Sequence, residues 1–199
     1  MERGLKSQDF LVLTQNFCYL KSMGALAIQL PAHSDQTAFN LERWDELLAD
    51  PFYSQLEQRI ETDRHGNIIM SPPPSFSHSF KGSELIRLLN LHGSDGKALH
   101  EVPISTSDGV RAADVAWLND SQLAAAKKTN VLTFAPEICV EVISPRNSEK
   151  EMQEKMALYF DAGATEVWLC DDDGTLRFFS SPGTLINSSA LLPGFPPAI

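Results

Sequence analysis

Between Arg111 and Leu118, successive positions alternate between two faces. The alternation predicts a strand with Ala112, Asp114 and Ala116 on one side and Ala113, Val115 and Trp117 on the other. A second run, Glu137–Ile143, is apolar on both sides: Ile138, Val140 and Val142 share one face, and Cys139, Glu141 and Ile143 the other. Such a strand belongs in the middle of a sheet. The period then changes to that of a helix. Met152, Met156 and Tyr159 recur at i, i+4 and i+7, and Lys155 falls inside the stripe they form. Ser148, three residues ahead of Glu151, predicts a capping box at the start of this helix, and Gly163 a stop at or just past its C-cap.

The rest of the chain reads as scaffold around these elements. Asn40–Leu48 predicts a short helix capped by Asn40, with Leu41, Trp44, Leu47 and Leu48 on its apolar side and Asp50-Pro51 as its end. Arg59–Thr62 and Asn67–Met70 flank Asp63-Arg64-His65-Gly66, a hairpin turn, and Ser71-Pro72-Pro73-Pro74 leads out of it in extended form. A helix from Ser77 to about Leu91 carries Leu85, Leu88 and Leu89 on its apolar side. Ala98–Ile104 reads as a strand that Pro103 directs to a sheet edge, followed by a turn over Ser105–Gly109. Asn119–Asn130 is a surface loop or short helix bearing Lys127 and Lys128. Thr165–Cys170 and Thr175–Phe179 bracket a second hairpin turn, Asp171-Asp172-Asp173-Gly174. Those aspartates lack the alternating spacing and distal glutamate of a calcium loop, so they read as a solvated turn. The tail around Leu191-Leu192-Pro193-Gly194 is apolar enough to dock on the core. The order of strands and helices predicts an α/β fold, a central mixed sheet flanked by helices.

Composition narrows the class. The chain has 199 residues, 43% of them hydrophobic and 21% charged, as expected of one globular domain. Its net charge of −10 opposes broad nucleic-acid affinity, so any contact with DNA has to come from a metal and a local patch drawn from residues such as Lys81, Arg111, Lys127, Lys128 and Arg146. Cys18, Cys139 and Cys170 are odd in number and lack metal-ligand spacing, and the last two read as small buried hydrophobes in a reducing, cytoplasmic setting. The first 27 residues lack a basic region followed by a long apolar core, so no signal peptide is expected, and Met23 is an alternative start. No run reaches membrane-spanning length. Neither a Gly-x-Ser-x-Gly elbow nor a phosphate-cradling Gly-x-x-x-x-Gly-Lys-Ser/Thr loop is present.

The chemistry therefore rests on two acids and a lysine. An ionised Glu141 in a buried strand is costly unless a cation or donor compensates it, and Asp114 sits between alanines that leave room above it. Lys155 is the one cation of its helix directed toward the sheet. Acid, acid and lysine around a sheet suit a metal-dependent phosphodiesterase centre that takes Mg²⁺ or Mn²⁺ on hard oxygen donors. Burial beside a metal is expected to lower the lysine pKa. The same three residues also suit a buried ion network that pins helix to sheet.

The segments ADVAW (113–117), PEICVEVISPRNSEKEMQEKMALYFDAGATEVWLCD (136–171), GNIIMSPPPSFSHS (66–79) and LLPGFP (191–196) together resemble the Uma-two group of restriction endonucleases, within the PD-(D/E)XK restriction-endonuclease-like superfamily. The resemblance covers Phe39 to the C-terminus. It implies a single restriction-endonuclease-like domain over 39–199 behind a peripheral segment over 1–38, with DNA as substrate and no membrane. It further implies that Asp114, Glu141 and the carbonyl of Val142 hold the metal. The superfamily expects a lysine two residues after Glu141, where this chain has Ile143; in this group a helical lysine substitutes, and Lys155 matches it. The chain also departs at Ala113, where the group has proline, and at Asn67, where it has an acid. His78 stands at the position of a histidine of the group, and Glu84 on a helix from which some relatives supply an acid. A nuclease fold that has kept binding and lost cleavage remains the alternative, and a homodimer is open.

Overall fold

A computed structural model describes residues 35–56, 58–145 and 147–199. The expected peripheral segment 1–38 lies outside these up to residue 34, as do Met23, Cys18 and Arg146. Asp35 caps the first helix, and residues 36–38 already belong to it. Among the described residues, α-helices and strands succeed one another as α1 (Gln36–Ala49), β1 (Ile60–Thr62), β2 (Ile68–Met70), α2 (Phe76–His92), β3 (Gly96–Thr106), β4 (Gly109–Asn119), α3 (Asp120–Ala126), β5 (Ile138–Val142), α4 (Glu149–Asp161), β6 (Glu166–Cys170), β7 (Leu176–Ser181) and β8 (Thr184–Ile186).

Strands β3 to β8 form one mixed sheet in sequence order. Only β5 and β6 run parallel, joined through α4, and every other neighbouring pair is antiparallel. The doubly apolar reading of β5 holds: it lies between β4 and β6, with all five residues buried. Leu85, Leu88 and Leu89 of α2 pack with Val115, Trp117, Ile138, Val140 and Trp168 on one face, joined by Leu192 and Phe195 of the tail. On the other, Met152, Met156 and Tyr159 of α4 pack with Ala116, Leu118, Cys139, Val167 and Leu169. The tail docks through polar bonds too. Glu166 is buried at 1% exposure, and its carboxylate accepts from Ala190 N (2.7 Å), Leu191 N (3.1 Å) and Trp168 Nε1 (2.7 Å), which offsets its desolvation. Cys139 and Cys170 are free and buried.

Three local readings are corrected. Asn40 does not cap α1; Asp35 does, accepting from Ala38 N at 2.9 Å. Asn40 lies inside the helix, where its amide donates to Ser105 Oγ and Thr106 O, both at 2.9 Å, tying α1 to the end of β3. The α4 start has half of its expected box: Ser148 Oγ accepts from Glu151 N at 3.1 Å, while the Glu151 carboxylate accepts from the Asn147 amide instead of reaching back. Finally, β8 forms ahead of the apolar tail, where no strand was expected.

The small hairpin β1–β2 is docked by main-chain proximity. Gly109 has φ +95, and a Cβ there would stand 2.2 Å from Thr62 O. Glycine alone allows β4 to begin against β1. Thr62 then accepts from Arg111 Nη1 at 2.5 Å, and its hydroxyl accepts from Val110 N at 3.0 Å.

Candidate active site

Strands β4 and β5 pair through Val115–Val140, Ala116–Cys139 and Trp117–Ile138. One further step in this register faces Asp114 with Glu141, on the side of the sheet that α4 covers. The ladder opens here, and the Asp114 side chain takes the place of a main-chain partner: its Oδ2 accepts from Val142 N at 2.8 Å. Both acids are buried, Asp114 at 7% and Glu141 at 3% exposure.

Lys155 arrives from α4, buried among Met152, Met156 and Tyr159 as the stripe predicted. Its Nζ lies 3.2 and 3.1 Å from the two Glu141 oxygens and 3.1 Å from Glu61 Oε1. Tyr159 OH donates to Glu141 Oε1 at 2.6 Å. The docked hairpin adds two groups. Glu61, also buried, accepts from Ala112 N at 3.0 Å, and Arg59 Nη1 donates to Asp114 Oδ1. Arg59 Nε is buried without a partner. His78 Nε2 stands 3.7 Å from the same Asp114 oxygen. Three carboxylates therefore share one buried neighbourhood with two permanent cations and a histidine. A cleft of about 500 Å³ between hairpin and α4 reaches Glu61 and Lys155, passing Asp108, Arg111 and Glu154.

The electrostatics separate the acids. Burial opposes ionisation of Asp114, but His78, Arg59 and Lys155 outweigh it and hold the carboxyl at about 2. Glu141 goes the other way. Burial, reinforced by repulsion from Asp114, pushes it up to about 7 despite the attraction of Lys155. The expected lowering of the Lys155 pKa does not occur. Burial acts in that direction, but Glu141 and Glu61 at contact distance raise the ammonium above its usual range. Arg59, held by Asp114, Glu141 and Glu61, is likewise raised and stays charged.

Among the described residues, no three His, Cys, Asp or Glu side chains are disposed as a ready-made metal cluster. Guanidinium and ammonium already stand against the acids. The donor chemistry nonetheless fits a hard divalent cation: all three acids present oxygens, and three carboxylates exceed the two fixed cations by one charge. Burial first, and then the neighbouring acids, keep the Glu141 carboxyl at about 7, where an added cation would favour its ionised form.

The structure brings together Asp114, Glu141, Lys155 and His78, with Val142 contributing its amide. It does not bring Glu84, whose carboxylate binds Arg87 on the outer side of α2 at 2.9 and 2.5 Å. Two members of the expected basic footprint are also committed elsewhere. Lys81 is buried and donates to Asp172 O at 2.6 Å, and Arg111 is buried against Thr62 and Asp108. Lys127 and Lys128 are exposed. Reading the sequence missed Arg59, Glu61 and Tyr159. A signal for the first two exists: period-two alternation places Arg59 and Glu61 on one face of a strand whose other face carries Ile60, packed near Trp44 and Val110.

Comparisons bear on this geometry. The family described as "Uma2: Putative restriction endonuclease" matches residues 44–194. Among solved structures, the chain is similar to "a putative nuclease belonging to DUF820 from Anabaena variabilis ATCC 29413", with a TM-score of 0.58 and 22% identity over 74% of this chain and 89% of that one. At this identity the likeness concerns the fold, and it agrees with the mixed α/β sheet expected from the sequence. No curated protein matches. No described helix is long and apolar enough to cross a membrane.

Proposed function

This chain belongs to the Uma2 family, described as "putative restriction endonuclease", and on that premise we propose that it is a metal-dependent endonuclease that hydrolyses DNA phosphodiester bonds. The activity resides in residues 39–199. The observation that carries the reading is Glu141: a carboxylate buried beside Asp114 and Glu61, compensated so incompletely that its pKa stands at about 7. An acid kept at that disadvantage marks a place for further positive charge.

Asp114, Glu141 and the Val142 carbonyl would hold Mg²⁺ or Mn²⁺. When bound, the ion supplies Lewis-acid charge to the scissile phosphate and acidifies an attacking water. Lys155 presents its ammonium to the charge that develops on the phosphate, its stem fixed among Met152, Met156 and Tyr159. Glu61 positions Lys155 from the hairpin side, and the Tyr159 hydroxyl fixes the orientation of Glu141. Arg59, paired with Asp114, would compete with the ion for that carboxylate.

The test is a titration of Mg²⁺ or Mn²⁺ into the wild type and Asp114→Ala, run beside a nicking assay on plasmid DNA. Binding and nicking by the wild type, both lost in the variant, are expected. Absence of metal binding in the wild type refutes the reading. A second reading is favoured by the ion pairs themselves: Asp114 with Arg59, and Glu141 and Glu61 with Lys155, make a network that could persist in a binding module without cleavage. A folded wild type that binds DNA but neither takes up metal nor nicks any DNA form would select that alternative.

A further inference from the structure

Helix α2 is apolar on two sides. Leu85, Leu88 and Leu89 are buried in the core. On the opposite side Phe76, Phe80 and Leu91 are 86%, 58% and 66% exposed. With 3.6 residues per turn, these three fall within about 60° of one another around the helix axis. Phe76 and Phe80 already stack, with ring centroids 6.4 Å apart. Glu84 and Arg87 lie along the same stripe between Phe80 and Leu91, bonded to each other. His78 points to the sheet side, toward Asp114, so the stripe is separate from the candidate active site. An exposed apolar stripe of this kind is a candidate contact surface.

We propose that this stripe is the contact surface of a homodimer in which two copies of α2 pack antiparallel across a two-fold axis. Self-complementarity carries the argument. An antiparallel two-fold pairs residues placed symmetrically about one point, and the pairs Phe80–Leu91 and Glu84–Arg87 are both centred between Leu85 and Ile86. About that axis, apolar side chains meet apolar ones, and Glu84 of each copy meets Arg87 of the other. The four charges close into a neutral ring. A parallel packing would set Glu84 against Glu84 and Arg87 against Arg87, so the charge order selects the antiparallel form. Phe76, stacked on Phe80, extends the contact beyond Leu91. Nucleic acid is the poorer occupant, because Glu84 would face phosphates on a chain of net charge −10. What is still exposed of two phenylalanines and a leucine supplies roughly 300–450 Å² of each copy's share, well below the standard of about 800 Å² per partner, so the dimer is a weak one.

The experiment is sedimentation equilibrium of the full chain at concentrations from about 1 to 100 μM, with circular dichroism to confirm folding. The wild type should move from 22.0 kDa toward twice that mass. Arg87→Glu, which sets like charges together across the axis and changes an exposed residue, should weaken dimerisation by about tenfold or more. Combining it with Glu84→Arg reverses both members of the ring and should restore the wild-type dissociation constant to within about threefold. A wild type that stays at 22.0 kDa, a dimer indifferent to Arg87→Glu, or a double variant no better than the single one each overturns the proposal. Phe80→Ser weakening DNA binding with no change in mass would overturn it too, in favour of a nucleic-acid surface. None of these results depends on cleavage activity.

Discussion

Replacing Glu141 by glutamine should make the metal-free protein more stable, and the size of the effect follows from the site. Glutamine keeps the shape and the acceptor oxygen that Tyr159 and Lys155 address, and removes the charge. In the folded protein the Glu141 carboxyl has its pKa raised from 4.5 to about 7. A carboxyl raised on folding contributes stability that is complete below the unfolded pKa and is lost as pH rises through the folded one. Between pH 4.5 and 7 the wild type therefore loses stability with each step in pH. At about 1.4 kcal/mol per pKa unit, the loss by pH 8 is roughly 3 kcal/mol, which glutamine does not incur. In a protein of this size, about 3 kcal/mol corresponds to a Tm higher by roughly 6–12 °C. Thermal melts in chelator at pH 4.5, 6, 7 and 8 read this directly. The two proteins should melt together at the acid end and diverge toward pH 8, with glutamine the higher. Adding Mn²⁺ should then raise the wild type and leave the variant unmoved. If Glu141→Gln melts below the wild type at pH 8, Glu141 is a stabilising member of an ion network, and the argument for a metal at this position fails.

Lys155→Met should retain the fold and most metal affinity while lowering cleavage by on the order of a hundredfold or more; wild-type rates in the variant would remove Lys155 from the mechanism. A purely structural lysine would instead lower stability by about 3–5 kcal/mol at neutral pH, less whatever protonation of Glu141 recovers, and melts run beside the rates distinguish the two. Arg59→Gln should tighten Mn²⁺ binding by about tenfold in calorimetry, because the guanidinium no longer competes for Asp114, and weaker binding would mean that Arg59 supports the site. DNA binding should be weak in chelator and should fall with added salt, since the net charge is −10 and Lys81 and Arg111 are committed to structural partners. Tight, salt-insensitive binding without metal would contradict this.

Much of the scaffold could be read from periodicity because its elements bury single stripes or alternate faces. The β4, β5 and α4 patterns gave the faces of Asp114 and Glu141 within their strands and turned Lys155 toward the sheet, and the register of β4 with β5 puts all three on one side. What periodicity could not supply was where the hairpin docks. Glu61 and Arg59 reach the cluster because β1 docks on the start of β4, and that docking depends on Gly109, whose role is visible only when Thr62 O is seen 2.2 Å from its missing Cβ. Tyr159 was read as apolar packing, which its ring performs; its hydroxyl found Glu141 because α4 lies over β5. Asn40 shows the opposite failure. Asn is a good cap by propensity, but here it sits in the helix because two acceptors at the end of β3 satisfy its amide.

The sign of the Lys155 shift explains why the sheet tolerates this cluster at all. A lone buried ammonium loses its proton, and a lone buried carboxylate gains one. Here Glu141 and Glu61 both approach Lys155 at about 3.1 Å, so the ammonium is the best-compensated charge of the group and Glu141 one of the least. Ile143, where the superfamily's lysine would stand, follows Glu141 on the same face of the sheet and packs beside the α4 stripe. A lysine there would reach the acids from the strand; Lys155 reaches them from the helix that covers that face. The helical position gives the cation a second carboxylate, Glu61, and so fixes it more firmly than one acid alone. The hairpin and the helical lysine are therefore a coupled arrangement: without Glu61 the ammonium loses one of its two carboxylate partners, and without Lys155 two buried acids lose the cation that both contact.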